Sequence, residues 1–111
     1  MQLTVQRNNG SAVVDVKGRL DAITAPAFEE SCAPVVDGSY RSVIIDLRQL
    51  EYISSAGLRS LLIVGKKIRK TGGAMSLCVS EGLVRDVLTT ANFDSLFPVS
   101  ESLDQAAEQT P

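Results

Sequence analysis

Ser54 and Ser55 stand side by side where an apolar strand candidate hands over to a long helix candidate, and they are the hydroxyls best placed for chemistry. A nucleophilic serine needs a base to activate it. The chain has no histidine, which removes Ser-His pairs, common zinc sites and a His general base in one step. The G-x-S-x-G frame of a nucleophile elbow is missing too. What remains for small hydroxyls at such a junction is to cap free backbone N–H groups, as serine pairs commonly do, or to accept a phosphate that would meet the favourable end of a helix dipole.

Carboxylates are available at Asp15, Asp21, Asp46, Glu51 and Asp86, but their spacing puts no two together for acid/base work. Asp46 ends a buried strand candidate, where sites in α/β sheets collect. Its plainer role is to accept hydrogen bonds from the turn that follows. Neither Gly57 nor Gly72-Gly73 belongs to a phosphate-cradling glycine pattern. Cys32 and Cys78 lack partners at metal-ligand spacing and are expected as reduced core residues. No cofactor and no metal are expected.

The elements that position the serines follow from apolar patterning. Val43-Ile44-Ile45 is a β-branched run suited to a strand buried on both faces. After Asp46-Leu47 the chain leaves that strand, and Tyr52-Ile53 form a second apolar anchor. A helix then begins within the serine pair, with Leu58, Leu61, Leu62, Gly65 and Ile68 at helical spacing, and ends at Gly72-Gly73. Upstream, residues 2–8 alternate as an edge strand, Asn8-Asn9-Gly10 signals a hairpin, and Ser11 to Lys17 reads as its antiparallel partner. A helix capped by Thr24 is expected to carry Phe28, Cys32 and Val35-Val36 on one stripe as far as Gly38. Downstream come a strand over 74–79, a helix capped by Ser80 and ended by Asn92, a short strand around Phe93 to Val99 broken by Pro98, and a polar helix from Ser100-Glu101. This order predicts an α/β fold: a mixed, mostly parallel sheet with an N-terminal hairpin and about four helices packed on it.

With 111 residues and 44% apolar composition the chain suits one domain, 1–111. A net charge of −2 argues against a nucleic-acid partner, and the basic residues from Lys66 to Lys70 read as a solvated helix end. No stretch reads as a secretion leader or a membrane span, so a cytoplasmic protein without membrane insertion is expected, and a monomer is the default for this size and polarity.

The run Ile45-Asp46-Leu47-Arg48-Gln49-Leu50-Glu51-Tyr52-Ile53-Ser54-Ser55-Ala56-Gly57-Leu58-Arg59 resembles the signature of the STAS domain family, and within it that of bacterial anti-sigma factor antagonists. Gly18-Arg19-Leu20-Asp21 is similar to that family's Gly-x-Leu-Asp after the first hairpin, with Ala25 in its small-residue zone. Length and element order fit over essentially the whole chain.

The resemblance implies a protein switch with no chemistry of its own. The unphosphorylated form would bind an anti-sigma factor that is also a serine kinase, phosphorylation of one hydroxyl in the turn would end that binding, and a metal-dependent serine phosphatase would restore it. In the family the accepting hydroxyl lies immediately before the Gly or one residue earlier. The former position holds Ala56, which makes Ser55 the first choice and Ser54, often Asp in relatives, the second. By the same resemblance Asp21, Ser54, Ala56, Gly57, Leu58, Arg59 and Ser60 would form the partner surface. Asp21 serves equally well as a turn residue bonding its own backbone, and Arg59 as a solvated charge. A second reading from another class is a STAS adaptor subunit of a membrane transport complex, such as a lipid-trafficking ABC system, that needs no phosphorylation.

Overall fold

Ala12, Val14 and Val16 turn to one side of β2 (Ser11–Leu20) and are buried, and the molecule is assembled on this long strand. The computed structural model describes residues 1–109. β1 (Gln2–Asn8) pairs antiparallel with β2 through a turn at Asn9-Gly10, both at positive φ. Past that hairpin β2 has two parallel partners in succession. β3 (Ser42–Asp46) lies against Ser11 to Asp15, and β4 (Leu50–Ile53) lies against Gly18 to Leu20 after a register shift at Gly18/Arg19. β5 (Ala74–Cys78) and β6 (Val99–Ser100) complete the order β1-β2-β3-β5-β6, parallel from β2 onward.

The helices depart from the sequence reading in three places. α1 (Ala25–Ser31) stops early and a 3-10 turn over Ala33–Val35 continues the chain. Pro34 explains the break, since inside an α-helix it would remove a hydrogen bond and clash one turn back. Even so, Phe28, Cys32 and Val35 are all buried as the stripe requires. α2 (Ser55–Lys70) runs as expected, but α3 (Leu83–Thr90) starts after Gly82 instead of Ser80. The segment expected as a strand around Phe93 instead forms a short helix, α4 (Phe93–Leu96), and leaves only two residues of β6 beyond Pro98. In α5 (Leu103–Gln109) the cap is Ser102, whose Oγ accepts the Gln105 N–H at 3.1 Å.

Val14, Val16, Val43, Ile45 and Leu77 of the sheet form one cluster with Phe28, Leu61, Val64, Ile68, Leu88 and Phe97. On the second face α5 brings Ala106 and Leu103 against Ile44 and Cys78. This two-sided cover accounts for the unbroken Val43-Ile44-Ile45 run. Cys32 and Cys78 are buried and unbridged, as expected. Burial, with Glu29 adding to it, pushes the Cys32 thiol up to about 12; burial and then Asp46 raise that of Cys78. Among the described residues no helix is long and apolar enough to cross a membrane.

Candidate functional site: the serine turn

β4 places the serines, and it is the element the sequence reading missed. Ile53 pairs with Leu20 of β2, and the next residue, Ser54, donates its N–H to the Leu20 carbonyl at 3.0 Å. Ser54 is extended and caps α2: its Oγ accepts the Gly57 N–H at 3.2 Å and its carbonyl accepts the Leu58 N–H at 2.8 Å. Ser55 is the first residue of the helix, exposed, with no side-chain hydrogen bond among the described residues. The two hydroxyls therefore differ: one is built into the helix start and the other is free.

Gly57 lies where α2 meets the end of β2. A Cβ there would run into the carbonyl oxygen of Leu20 and the side chain of Ile53, so the close approach admits only glycine. Ser60 is buried and donates its hydroxyl to the Gly57 carbonyl at 2.9 Å. Gly57 and Ser60, grouped by resemblance with the partner surface, thus face into the domain. Ser55 and Arg59 are exposed, while Ser54, Ala56 and Leu58 are half-buried.

Beside the serines lies the loop that leaves β2. Asp21 Oδ1 accepts the N–H groups of Ile23 at 3.0 Å and Thr24 at 3.2 Å. Thr24 stands at the N-cap position of α1, where its carbonyl accepts the Phe28 N–H at 3.0 Å, but its side chain makes no capping bond. Its Oγ1 instead accepts the Asp21 N–H at 3.0 Å and donates to the Arg19 carbonyl at 2.9 Å. The Thr24 backbone N–H above all, helped by Ile23, the Thr24 hydroxyl and Arg19, holds the Asp21 carboxyl below the usual carboxylate range against the opposing effect of burial. Arg19 reaches Asp21 at 3.7 Å and stacks over the Tyr52 ring at 4.3 Å. The plain reading of Asp21, a turn residue bonding its own backbone, holds.

One sequence inference about the carboxylates is overturned. Asp15 and Asp46 are cross-strand neighbours in the parallel register of β2 and β3, a juxtaposition their sequence spacing hides. Both oxygens of Asp46 are nonetheless occupied by Arg48, at 3.0 and 2.9 Å, and Oδ1 also accepts the Arg48 N–H at 3.1 Å. Asp46 therefore fixes the turn after β3, as its plainer reading has it. No group of three or more metal-ligating side chains occurs among the described residues.

The family model of the STAS domain matches residues 2–106. The chain belongs to the STAS domain family. This STAS domain is 38% identical over 107 residues to BtrV of Bordetella bronchiseptica, named as a candidate anti-sigma factor antagonist, with 96% of this chain and 92% of BtrV covered. Its fold matches the crystal structure of an anti-sigma factor antagonist from Mycobacterium paratuberculosis with a TM-score of 0.89 at 30% identity, covering 98% of this chain and 92% of that one. Unphosphorylated SpoIIAA, an anti-sigma factor antagonist, matches with a TM-score of 0.70 over 96% of this chain and 94% of its own; at 14% identity this shows the STAS fold alone.

Proposed function

We propose that this chain is an anti-sigma factor antagonist, a partner-switching regulator whose state is set at Ser55. Unphosphorylated, it binds an anti-sigma factor that is also a serine kinase. The γ-phosphoryl group of ATP passes to Ser55 Oγ, the hydroxyl proton is lost, ADP leaves, and the modified chain is released. A metal-dependent serine phosphatase hydrolyses the ester and restores binding. The chain itself is a binding module, a single cytoplasmic domain over 1–111 that acts as a monomer.

The observation that carries this reading is the unequal placement of the two serines. Ser55 is exposed and its hydroxyl makes no hydrogen bond among the described residues, whereas Ser54 Oγ is committed to the Gly57 N–H. A phosphate on Ser55 adds about −1.5 to −2 charges and three acceptor oxygens, which a packed interface resists through repulsion and desolvation with no change of fold. Asp21, Ser54, Ala56, Leu58 and Arg59, on the loop after β2 and the start of α2, make up the contact area. Similarity to BtrV and the M. paratuberculosis protein supports antagonism, and no observation favours the transport-adaptor reading.

Incubation with ATP and each anti-sigma-type serine kinase of the source genome, followed by mass mapping of wild type, Ser55→Ala and Ser54→Ala, tests the proposal. Modification is expected in wild type and Ser54→Ala and lost in Ser55→Ala. Phosphate persisting at the turn in Ser55→Ala would sink the assignment.

A further inference from the structure

Ile23 is 88% exposed, the most exposed large apolar side chain among the described residues. A solitary surface isoleucine is ordinary. Two independent observations set this one apart.

The first is rigidity. The Ile23 N–H is bonded to Asp21 Oδ1, the next N–H goes to the same oxygen, and the Thr24 hydroxyl ties the loop to Arg19 and Asp21. The backbone on both sides of Ile23 is held, with its side chain turned to solvent. Holding an apolar group out in this way wins nothing for folding, but it lowers the ordering cost of burying that group in a partner.

The second is position. The loop leaves β2 at Leu20, whose carbonyl receives the Ser54 N–H, so Ile23 stands beside the serine turn. On the α3 side of the same turn lies a groove of about 290 Å³ lined by Leu58, Val87, Thr90, Ala91 and the edge of Asp86. The serine turn is thus joined on one side to the loop that carries Ile23 and leads on the other into Leu58, a wall of the apolar groove. A kinase that engages the hydroxyl would meet this apolar surface.

We propose that Ile23 is the apolar anchor of the contact with the anti-sigma factor, entering a hydrophobic socket beside that partner's serine-kinase site, and that Asp21 is a positioning residue holding Ile23 in place. The inference rests on the antagonist reading. It reassigns Asp21 from a group that touches the partner to one that acts through its neighbour.

The experiment titrates the unmodified chain and its variants into the purified anti-sigma kinase of the source genome that binds wild type most tightly. Ile23→Ser should weaken binding by about 10- to 100-fold, with its urea midpoint unchanged because so exposed a side chain contributes little to the core. Ile23→Leu should bind within about threefold of wild type. Asp21→Ala should lose about as much binding as Ile23→Ser, and Asp21→Asn, which keeps an acceptor oxygen, should recover most of it. Leu96→Ser, at a less exposed apolar position on α4, should have no effect on binding. Binding of Ile23→Ser within twofold of wild type overturns the anchor, as does a wild-type homodimer that Ile23→Ser dissociates, which would make a second copy the occupant. Failure of wild type to bind any such kinase refutes the antagonist reading, and the anchor falls with it.

Discussion

The hydroxyl of Ser54 accepts the backbone N–H of Gly57 at 3.2 Å, so the first of two adjacent serines is spent on starting a helix and the second is left over. Ser54→Ala should therefore cost about 1 kcal/mol, the usual worth of an N-cap. Ser55→Ala, at an exposed first helical position, should shift stability by less than about 0.5 kcal/mol. Urea denaturation of both variants measures the contrast, and equal costs would contradict it.

A phosphate on Ser55 should stabilise the domain. It would stand at the N-terminus of the 16-residue α2, four residues ahead of Arg59, which is also exposed. Dipole and i, i+4 charge terms are each worth about 0.3 to 1 kcal/mol at low salt. Protein carrying genetically encoded phosphoserine at position 55 should show a higher urea midpoint than unmodified protein. The gain should shrink in about 0.5 M salt as screening sets in and be smaller in Arg59→Gln.

Two glycines of α2 should respond unequally to an added methyl group. At Gly57 the obstacle is the Leu20 carbonyl oxygen, part of a paired strand, whereas at Gly65 it is the ring of Phe97 and the Met75 methyl, buried side chains that can yield further than strand backbone. Gly57→Ala should cost about 3 kcal/mol and Gly65→Ala nearer 1 kcal/mol, the difference reflecting how far each neighbour can yield. Thermal unfolding of the two variants ranks them.

Acid should weaken the loop that holds Ile23. The folded pKa of Asp21 lies below its unfolded value of about 3.9, so the unfolded chain binds more protons between the two. The stability this carboxylate contributes is fully present above that value and lost as pH falls through the folded one. Asp21→Asn lacks this proton, so the gap in Tm between wild type and Asp21→Asn should be widest near neutrality and close below about pH 4. A constant gap across the titration would exclude the linkage.

Much of the switch region was legible because it is local. Ser54 as cap, the helix to Lys70 and the Gly72-Gly73 stop depend on neighbours within a few residues. What escaped depends on distance or on residue size. β4 is four residues long, with exposed Glu51 inside it, and exists because Gly18 to Leu20 offer it a partner. The Asp15–Asp46 juxtaposition is a product of strand register. Gly57 and Ser60, placed on the partner surface by resemblance, are buried because a helix pressed against a sheet end turns its smallest residues inward, which a pattern of large apolar side chains does not reveal. Pro34 splitting α1 from its 3-10 turn was present in the sequence, and there the apolar stripe concealed it.

The bond from the Ser54 N–H to the end of β2 has one further consequence. With the turn bonded to an interior strand, a phosphate at Ser55 is expected to act on what touches the turn and not on distant surfaces. If Ser55 is the modified residue, the message written at that one oxygen would be read there. Any protein that grips this domain elsewhere would carry it in both states without knowing which it holds.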